Sequence, residues 1–407
     1  MTSNPIKIHN DNARHWSFLY LNIVGNICIA SLILNIPNFL SVNYNFPPVV
    51  FYSILSFLCF LSITIHGNKF RIILNQPFLV WSIFVIIIYY IYLLISYIKY
   101  SERVSSTIAI DLMIILAALL PAASLTLMDR SVRHTGLAVA AFLLPALIVL
   151  DFVRPGLLYP LGTEGAVLGR GAATFINPNG AGEAALLATL LVAPILSPRW
   201  RIILLVVSGI GVLATFSRAA MLGWGLVLLI LVYAGAVSKK VVGSLFIGAV
   251  SIVAFSAVIV TYVAGREDLA EGAENLVGRI NFFQSGSLED ASSLERLYVL
   301  EAGIEMFAEN PILGGGAGAT RNWHLRASTH NQVVLLAAEL GLVGLALWGS
   351  LLWILSKGEY FSNCRLQVGG ALLAVYFGMF SHNLFNSTHW LLAFILISSR
   401  YGNRERA

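Results

Sequence analysis

The chain has 407 residues, 58% of them hydrophobic and 11% charged, with a mean hydropathy of +0.81. Soluble domains average about 25% charged residues, so a soluble globular protein is excluded. The formal charge of +5 and the pI near 9.1 come from basic residues lying mostly between apolar segments. That arrangement orients a membrane protein and makes nucleic acid an unexpected partner.

About 30 Å of hydrocarbon takes roughly 20 apolar residues per helix. Twelve apolar segments meet or approach that length: residues 17–36, 48–65, 77–98, 108–128, 135–152, 179–197, 201–216, 219–236, 241–263, 332–355, 366–383 and 388–400. The expected fold is all-α, a polytopic membrane protein of about 12 transmembrane helices. Lys7 and Arg14 precede the first segment, which is too long for a signal-peptide core and lacks a small-residue cleavage site, so it reads as a permanent span. Cys28 and Cys59 fall within apolar runs and Cys364 in a loop, a spacing that suits neither a disulfide framework nor a zinc site.

Fifteen Lys and Arg lie at the termini and in the even loops, against ten in the odd loops. By the positive-inside rule both termini face the cytoplasm. Three regions are expected: residues 1–263 with spans one to nine, a large periplasmic loop at 264–329, and residues 330–407 with the last three spans. The loop is polar and holds ten of the twenty acidic residues. Within it Leu294, Leu297, Leu300, Ile304 and Phe307 recur at helical spacing, which predicts an amphipathic helix lying over the membrane face and ended by Asn310-Pro311. A second outer loop, about 153–178, is rich in Gly and Pro and carries Arg154 and Arg170.

Arg218 stands at a very short outer turn, TFSRAAMLG, between two strongly apolar spans. A charge there is expensive; the alternatives are snorkelling to the head groups and an anionic ligand, and the small neighbours Ala219 and Ala220 favour the ligand. His330 stands within about two residues of the start of span ten, and histidine is the side chain best suited to accept a proton near neutral pH. Asn331 beside it is expected to orient the ring; Arg321 and Arg326 precede it. Glu339 within the span reads as a structural acid needing a partner, and Gly341 and Gly344 as residues allowing close helix packing. The run Gly314-Gly315-Gly316 lacks the strand, helix and Lys-Ser or Lys-Thr of a phosphate loop, so no nucleotide is expected. No metal motif occurs, and no cofactor is expected. His382 and His389 flank the last outer turn and read as structural.

These segments together resemble the bacterial O-antigen ligase and O-antigen polymerase family. The shared features are FINPNGAGE, FSRAAMLG, SSLERLYVLEAG, NPILGGGAG and THNQVVLLAAELGLVG, in that order over about Gly169 to Gly349. The resemblance implies transfer of a glycan from undecaprenyl diphosphate to an acceptor on the periplasmic side of the inner membrane. In ligases the acceptor is lipid A core oligosaccharide, in polymerases it is another lipid-linked repeat, and in related protein O-oligosaccharyltransferases it is a protein hydroxyl. It implies that Arg218 and Arg296 bind the diphosphate, with Arg266 and Arg170 as further helpers and Arg279 undecided, and that His330 is the base of an inverting single displacement. The diphosphate is already a good leaving group, so neither nucleotide nor metal is required. One moderate outer loop late in the chain favours ligase over polymerase, since many polymerases carry two comparable large loops.

The reading from another class is a 12-helix secondary transporter. Against it stand the lack of two related halves and the position of the long loop. Its candidate coupling-ion acids are Asp111, Asp151 and Glu183.

Overall fold

The computed structural model describes residues 5–65, 73, 75–99, 119–163, 165–254, 291–321, 323–325, 328–381 and 384–400. These fold into α1 (Pro5–Ile33), α2 (Ile36–Tyr44), α3 (Pro48–Ile65), α4 (Pro77–Lys99), α5 (119–127), α6 (Arg130–Val153), α7 (Pro178–Val192) and α8 (Pro198–Ala214). Then follow α9 (Arg218–Tyr233), α10 (Lys239–Ala254), α11 (Ala291–Glu309), α12 (Gln332–Lys357), α13 (Cys364–Gly378) and α14 (Thr388–Ser398). The architecture is all-α, with no strand among the described residues. Each of the twelve apolar segments contains a helix; residues 108–118, 255–263 and 382–383 of three of them lie outside the described residues.

Proline marks the starts of α3, α4, α7 and α8, where a missing N–H costs nothing and the fixed φ favours a helix. The short α2 lies between Asn35 and Asn45, both in the left-handed conformation that asparagine tolerates. The apolar run from α1 gives no warning of this corner.

Among the described residues, four helices are long and apolar enough to cross a bilayer: Trp16–Ile33 within α1, then α3, α6 and α12. With the family evidence below they mark an integral membrane protein. Helices α9, α13 and α14 have 16, 15 and 11 residues. At 1.5 Å per residue they reach about 17–24 Å, short of the roughly 30 Å hydrocarbon layer. Helix length alone therefore does not establish twelve full crossings.

The centre of the bundle is built on α7 and α14. Every residue of α14 is buried, and so are thirteen of the fifteen in α7. Helices apolar on all sides belong inside, whereas α3, α4 and α6 expose a lipid-facing stripe. Close approach depends on small residues: a Cβ on Gly182 of α7 would stand 2.6 Å from that of Ala220 in α9, and one on Gly211 of α8 would stand 2.6 Å from the Pro145 Cβ in α6. Several buried polar groups find partners nearby. Arg133, 1% exposed, donates to the Leu125 carbonyl at 2.8 Å, and the Thr189 and Ser208 hydroxyls meet at 2.7 Å. Cys28 and Cys59 are free buried thiols 3.5 Å apart, a proximity their spacing did not announce.

A Gly211→Val substitution should therefore separate α6 from α8 and cost about 1–3 kcal/mol by overpacking. Thermal unfolding in detergent is the check: a clear fall in midpoint is expected, and an unchanged midpoint would contradict this packing.

Candidate active site

Helices α7, α9, α12 and α14 all begin at one end of the bundle, the end the charge tally assigns to the outside. Asn177, the first Asn of the NPN segment, caps α7 by accepting from the Asn179 N–H at 2.9 Å. Ser217 caps α9, and Asn331 caps α12 by accepting from the N–H groups of Val333 and Val334, each at 3.0 Å. Such caps contribute about 1 kcal/mol each, and the helix starts present partial positive charge. Three contacts hold the four starts together. Gly182 packs on Ala220, Trp390 Nε1 donates to Glu183 Oε2 at 2.8 Å, and Leu384 N–H donates to Gln332 Oε1 at 3.0 Å.

Arg218 is the first residue of α9 and is half-buried. The turn before it is constrained: Phe216 has a φ of 48°, and Ser217 N–H donates to Thr215 Oγ1 at 3.1 Å. Behind it, the Tyr376 hydroxyl donates to the Ala219 carbonyl at 2.8 Å. The guanidinium thus sits at a helix N-terminus on a fixed backbone, where an anion meets both a charge and a favourable dipole.

Arg170, the further diphosphate helper implied by the resemblance, has part of its guanidinium engaged within the protein. Its Nε donates to the Thr215 carbonyl at 2.8 Å and its Nη2 to Asn179 Oδ1 at 2.9 Å. It braces the Arg218 turn against the NPN segment, with two of its donors engaged within the protein. Gly171 N–H adds a bond to the Ala214 carbonyl at 2.9 Å, and the Asp151 carboxylate receives the N–H groups of Ala172 and Ala173 at 2.7 and 3.1 Å.

The second half of the site is organised by a break in α12. Gly341 has φ 62° and ψ −143°, a conformation essentially confined to glycine, so Gly341 interrupts the helix, and the close approach it allows is to the backbone of Ile312 and Gly314. Broken backbone at membrane depth must find hydrogen bonds within the protein. The segment 311–316 supplies them: Leu342 N–H donates to the Pro311 carbonyl at 2.8 Å, and the N–H groups of Gly315 and Gly316 donate to the carbonyls of Ala338 and Glu339 at 2.7 and 3.0 Å. Tyr92 of α4 donates to the Leu313 carbonyl at 2.8 Å from the other side. Glu339 is the structural acid expected, and its partners are now visible. Its carboxylate accepts from Gly318 N–H at 2.8 Å, Thr320 N–H at 3.3 Å and Thr320 Oγ1 at 2.5 Å.

This latch holds α11 against the start of α12. The helix ends at Glu309, as Asn310-Pro311 predicts, but its packing face differs from the predicted leucine stripe. Val299 and Gly303 are buried, and a Cβ on Gly303 would press on Val334 and Thr329, whereas Leu297 and Ile304 are exposed. Glycine allows an approach that leucine would block. Arg296 projects from this helix close enough to His330 for its charge to act on the imidazole. Burial first, and then Arg296, hold the half-buried ring below its usual pKa, while Glu295 pulls it upward. That direction favours the neutral imidazole, the form that can accept a proton. The Asn331 side-chain oxygen caps α12 and so fixes the backbone that carries His330.

Among the residues singled out from sequence, Arg266, Arg279, Arg326, His382 and Asp111 lie outside the described residues. His389 is buried; its Nε2 lies 3.8 Å from Glu183 Oε2, and its ring meets Phe175 edge-on at 5.5 Å. Glu183, Asp151 and Tyr376 are contributors that sequence reasoning missed for this site. Their partners lie far along the chain.

Two outcomes follow from this geometry. Gly341→Ala places a Cβ 2.5 Å from the Ile312 carbonyl oxygen in a conformation alanine resists, so it should cost about 1–3 kcal/mol. Proteolysis between 310 and 331 should rise; equal protection would contradict the latch. In histidine NMR titrations the His330 ring should titrate below 6.5, and Arg296→Gln should move it upward, because removing a nearby cation favours the imidazolium. An unmoved titration would place Arg296 out of reach.

Residues 203–349 match the family model described as O-antigen ligase. That stretch contains Arg218, Arg296, His330, Asn331 and the Gly341 break, and leaves Arg170 and the NPN segment just outside. No curated protein matches the chain. Residues 203–349 are thus similar to the O-antigen ligase family, over 147 of the 407 residues, and this supports the resemblance read from the sequence.

Proposed function

We propose that this protein is an O-antigen ligase that transfers a polysaccharide from undecaprenyl diphosphate to a hydroxyl of lipid A core oligosaccharide. Arg218 and Arg296 bind the diphosphate, and His330 acts as the base. The observation that carries the reading is the half-buried His330 at the start of α12, held below its usual pKa by burial and then by the charge of Arg296, within the matched stretch. A base whose neutral form is favoured first by burial and then by a cation, which is proposed also to face the leaving group, suits a displacement in which proton and negative charge depart to different partners.

In the proposed step the acceptor oxygen forms a bond to the anomeric carbon as the bond to the diphosphate oxygen breaks. The electron pair stays on the diphosphate, and the hydroxyl proton passes to His330. Attack from the face opposite the leaving group inverts the anomeric centre without a covalent enzyme intermediate. Arginine forks bind diphosphate bidentately and stabilise the charge that develops there. The α9 N-terminus adds its dipole at Arg218. Arg170 is proposed to act through the Thr215 carbonyl and Asn179, as a positioning residue instead of a diphosphate ligand. The proposed orientation puts this end of the bundle in the periplasm and both termini in the cytoplasm.

Polymerase is the second reading within the family, since the same arginines and base serve attack by another lipid-linked repeat. The surface polysaccharide of a deletion strain separates the two. Long polymer accumulating on the lipid carrier supports the ligase, and core capped with one repeat overturns it in favour of the polymerase.

A charge-assisted bond contributes about 1.5–3 kcal/mol, so Arg218→Ala should slow transfer about tenfold to a hundredfold, with Arg218→Lys recovering part. Full activity of Arg218→Ala at normal protein level would mean that the residue only reaches for the head groups.

A further inference from the structure

At the end of the bundle away from the site, α6 and the segment before α8 border an open groove of about 1100 Å³. Its mouth is formed by Asp129, Arg130, Ser131 and His134, and its walls by Val139, Phe142, Leu143, Ile195 and Leu196. We propose that this groove holds a phospholipid whose head group carries a phosphate next to a primary ammonium, as phosphatidylethanolamine does.

The location excludes the glycan donor's diphosphate as occupant. Helix α6 has 24 residues and runs from Arg130 at the groove to Asp151, which grips the loop beside the candidate site. At 1.5 Å per residue these ends lie about 30 Å apart, on opposite faces of the membrane. From Ser131 to Leu143 the groove follows α6 for about 18 Å, which spans one leaflet of the hydrocarbon layer. An acyl chain lying along the walls has its glycerol and head group at the mouth.

The charges at the mouth select the head group. Asp129 and Arg130 are adjacent and both exposed. Asp129 is held in place: its Oδ1 accepts from Ser131 N–H at 2.8 Å and Val132 N–H at 3.2 Å, and its own N–H donates to Asn22 at 3.1 Å. A purely anionic head group meets Arg130 but leaves the Asp129 carboxylate without a cationic donor. A quaternary ammonium brings no N–H to the carboxylate. A phosphate followed by a primary ammonium pairs with both, and the ammonium donates to Asp129.

The test is native mass spectrometry of the delipidated protein in mild detergent, titrated separately with dioleoyl-phosphatidylethanolamine, -phosphatidylcholine and -phosphatidylglycerol. Exposed charge pairs are modest, so the ethanolamine lipid should bind about three- to fivefold more tightly than the choline lipid. The preference should vanish in Asp129→Asn, which retains a helix-capping side chain, and in Arg130→Gln, with unfolding temperatures unchanged. Equal binding of the three lipids, tightest binding of phosphatidylglycerol, or a preference that survives both substitutions would overturn the proposal.

Discussion

The requirement that every backbone N–H and C=O at membrane depth find a partner within the protein governs the functional half of this molecule. Helix α12 opens at Gly341, and segment 311–316 closes the gap with main-chain bonds to Ala338, Glu339 and Leu342. The Glu339 carboxylate extends the same repair to Gly318 and Thr320. The outer chain cannot leave the bundle without exposing these groups, and α11, with Arg296, is tied to the start of α12, with His330.

A second set of constraints fixes the other half. Arg170 joins the Arg218 turn to the NPN segment, and Asp151 anchors the loop that carries Arg170. Around them four helices start at one end of the bundle, three of them capped by side-chain oxygens of Asn177, Ser217 and Asn331. The result is a positively polarised surface with an imidazole held below its usual pKa at its edge. This combination suits an anionic leaving group and a hydroxyl acceptor. The glycine-rich stretch, which superficially invites a nucleotide, instead serves as filler for a broken helix.

Much of the helical plan was legible because apolar runs near 20 residues have few alternatives. Arg218 and His330 stood out in the sequence because a charge at a very short turn, or an imidazole at the edge of a span, needs a reason, whereas Arg296 stood out only through the family resemblance. The break in α12 was not, since Gly341 inside an apolar run looks the same whether it packs a helix or interrupts one. The packing face of α11 was misread for a related reason: leucine periodicity marks an apolar face but does not say whether protein or lipid covers it. The role of Arg170 depends on Thr215, 45 residues away, and that of Glu183 on Trp390, 207 residues away. Contacts at such separations leave no local pattern.

The central claim is that His330 takes the acceptor proton while arginines hold the donor, and the most direct measurement is single-turnover transfer from a defined lipid-linked glycan with donor binding measured in parallel. The account predicts that His330→Ala and His330→Gln bind donor as the wild type does and transfer about a hundredfold to ten-thousandfold more slowly. Near-normal transfer by His330→Gln, with His389→Ala inactive, would contradict it and move the base to the last outer turn.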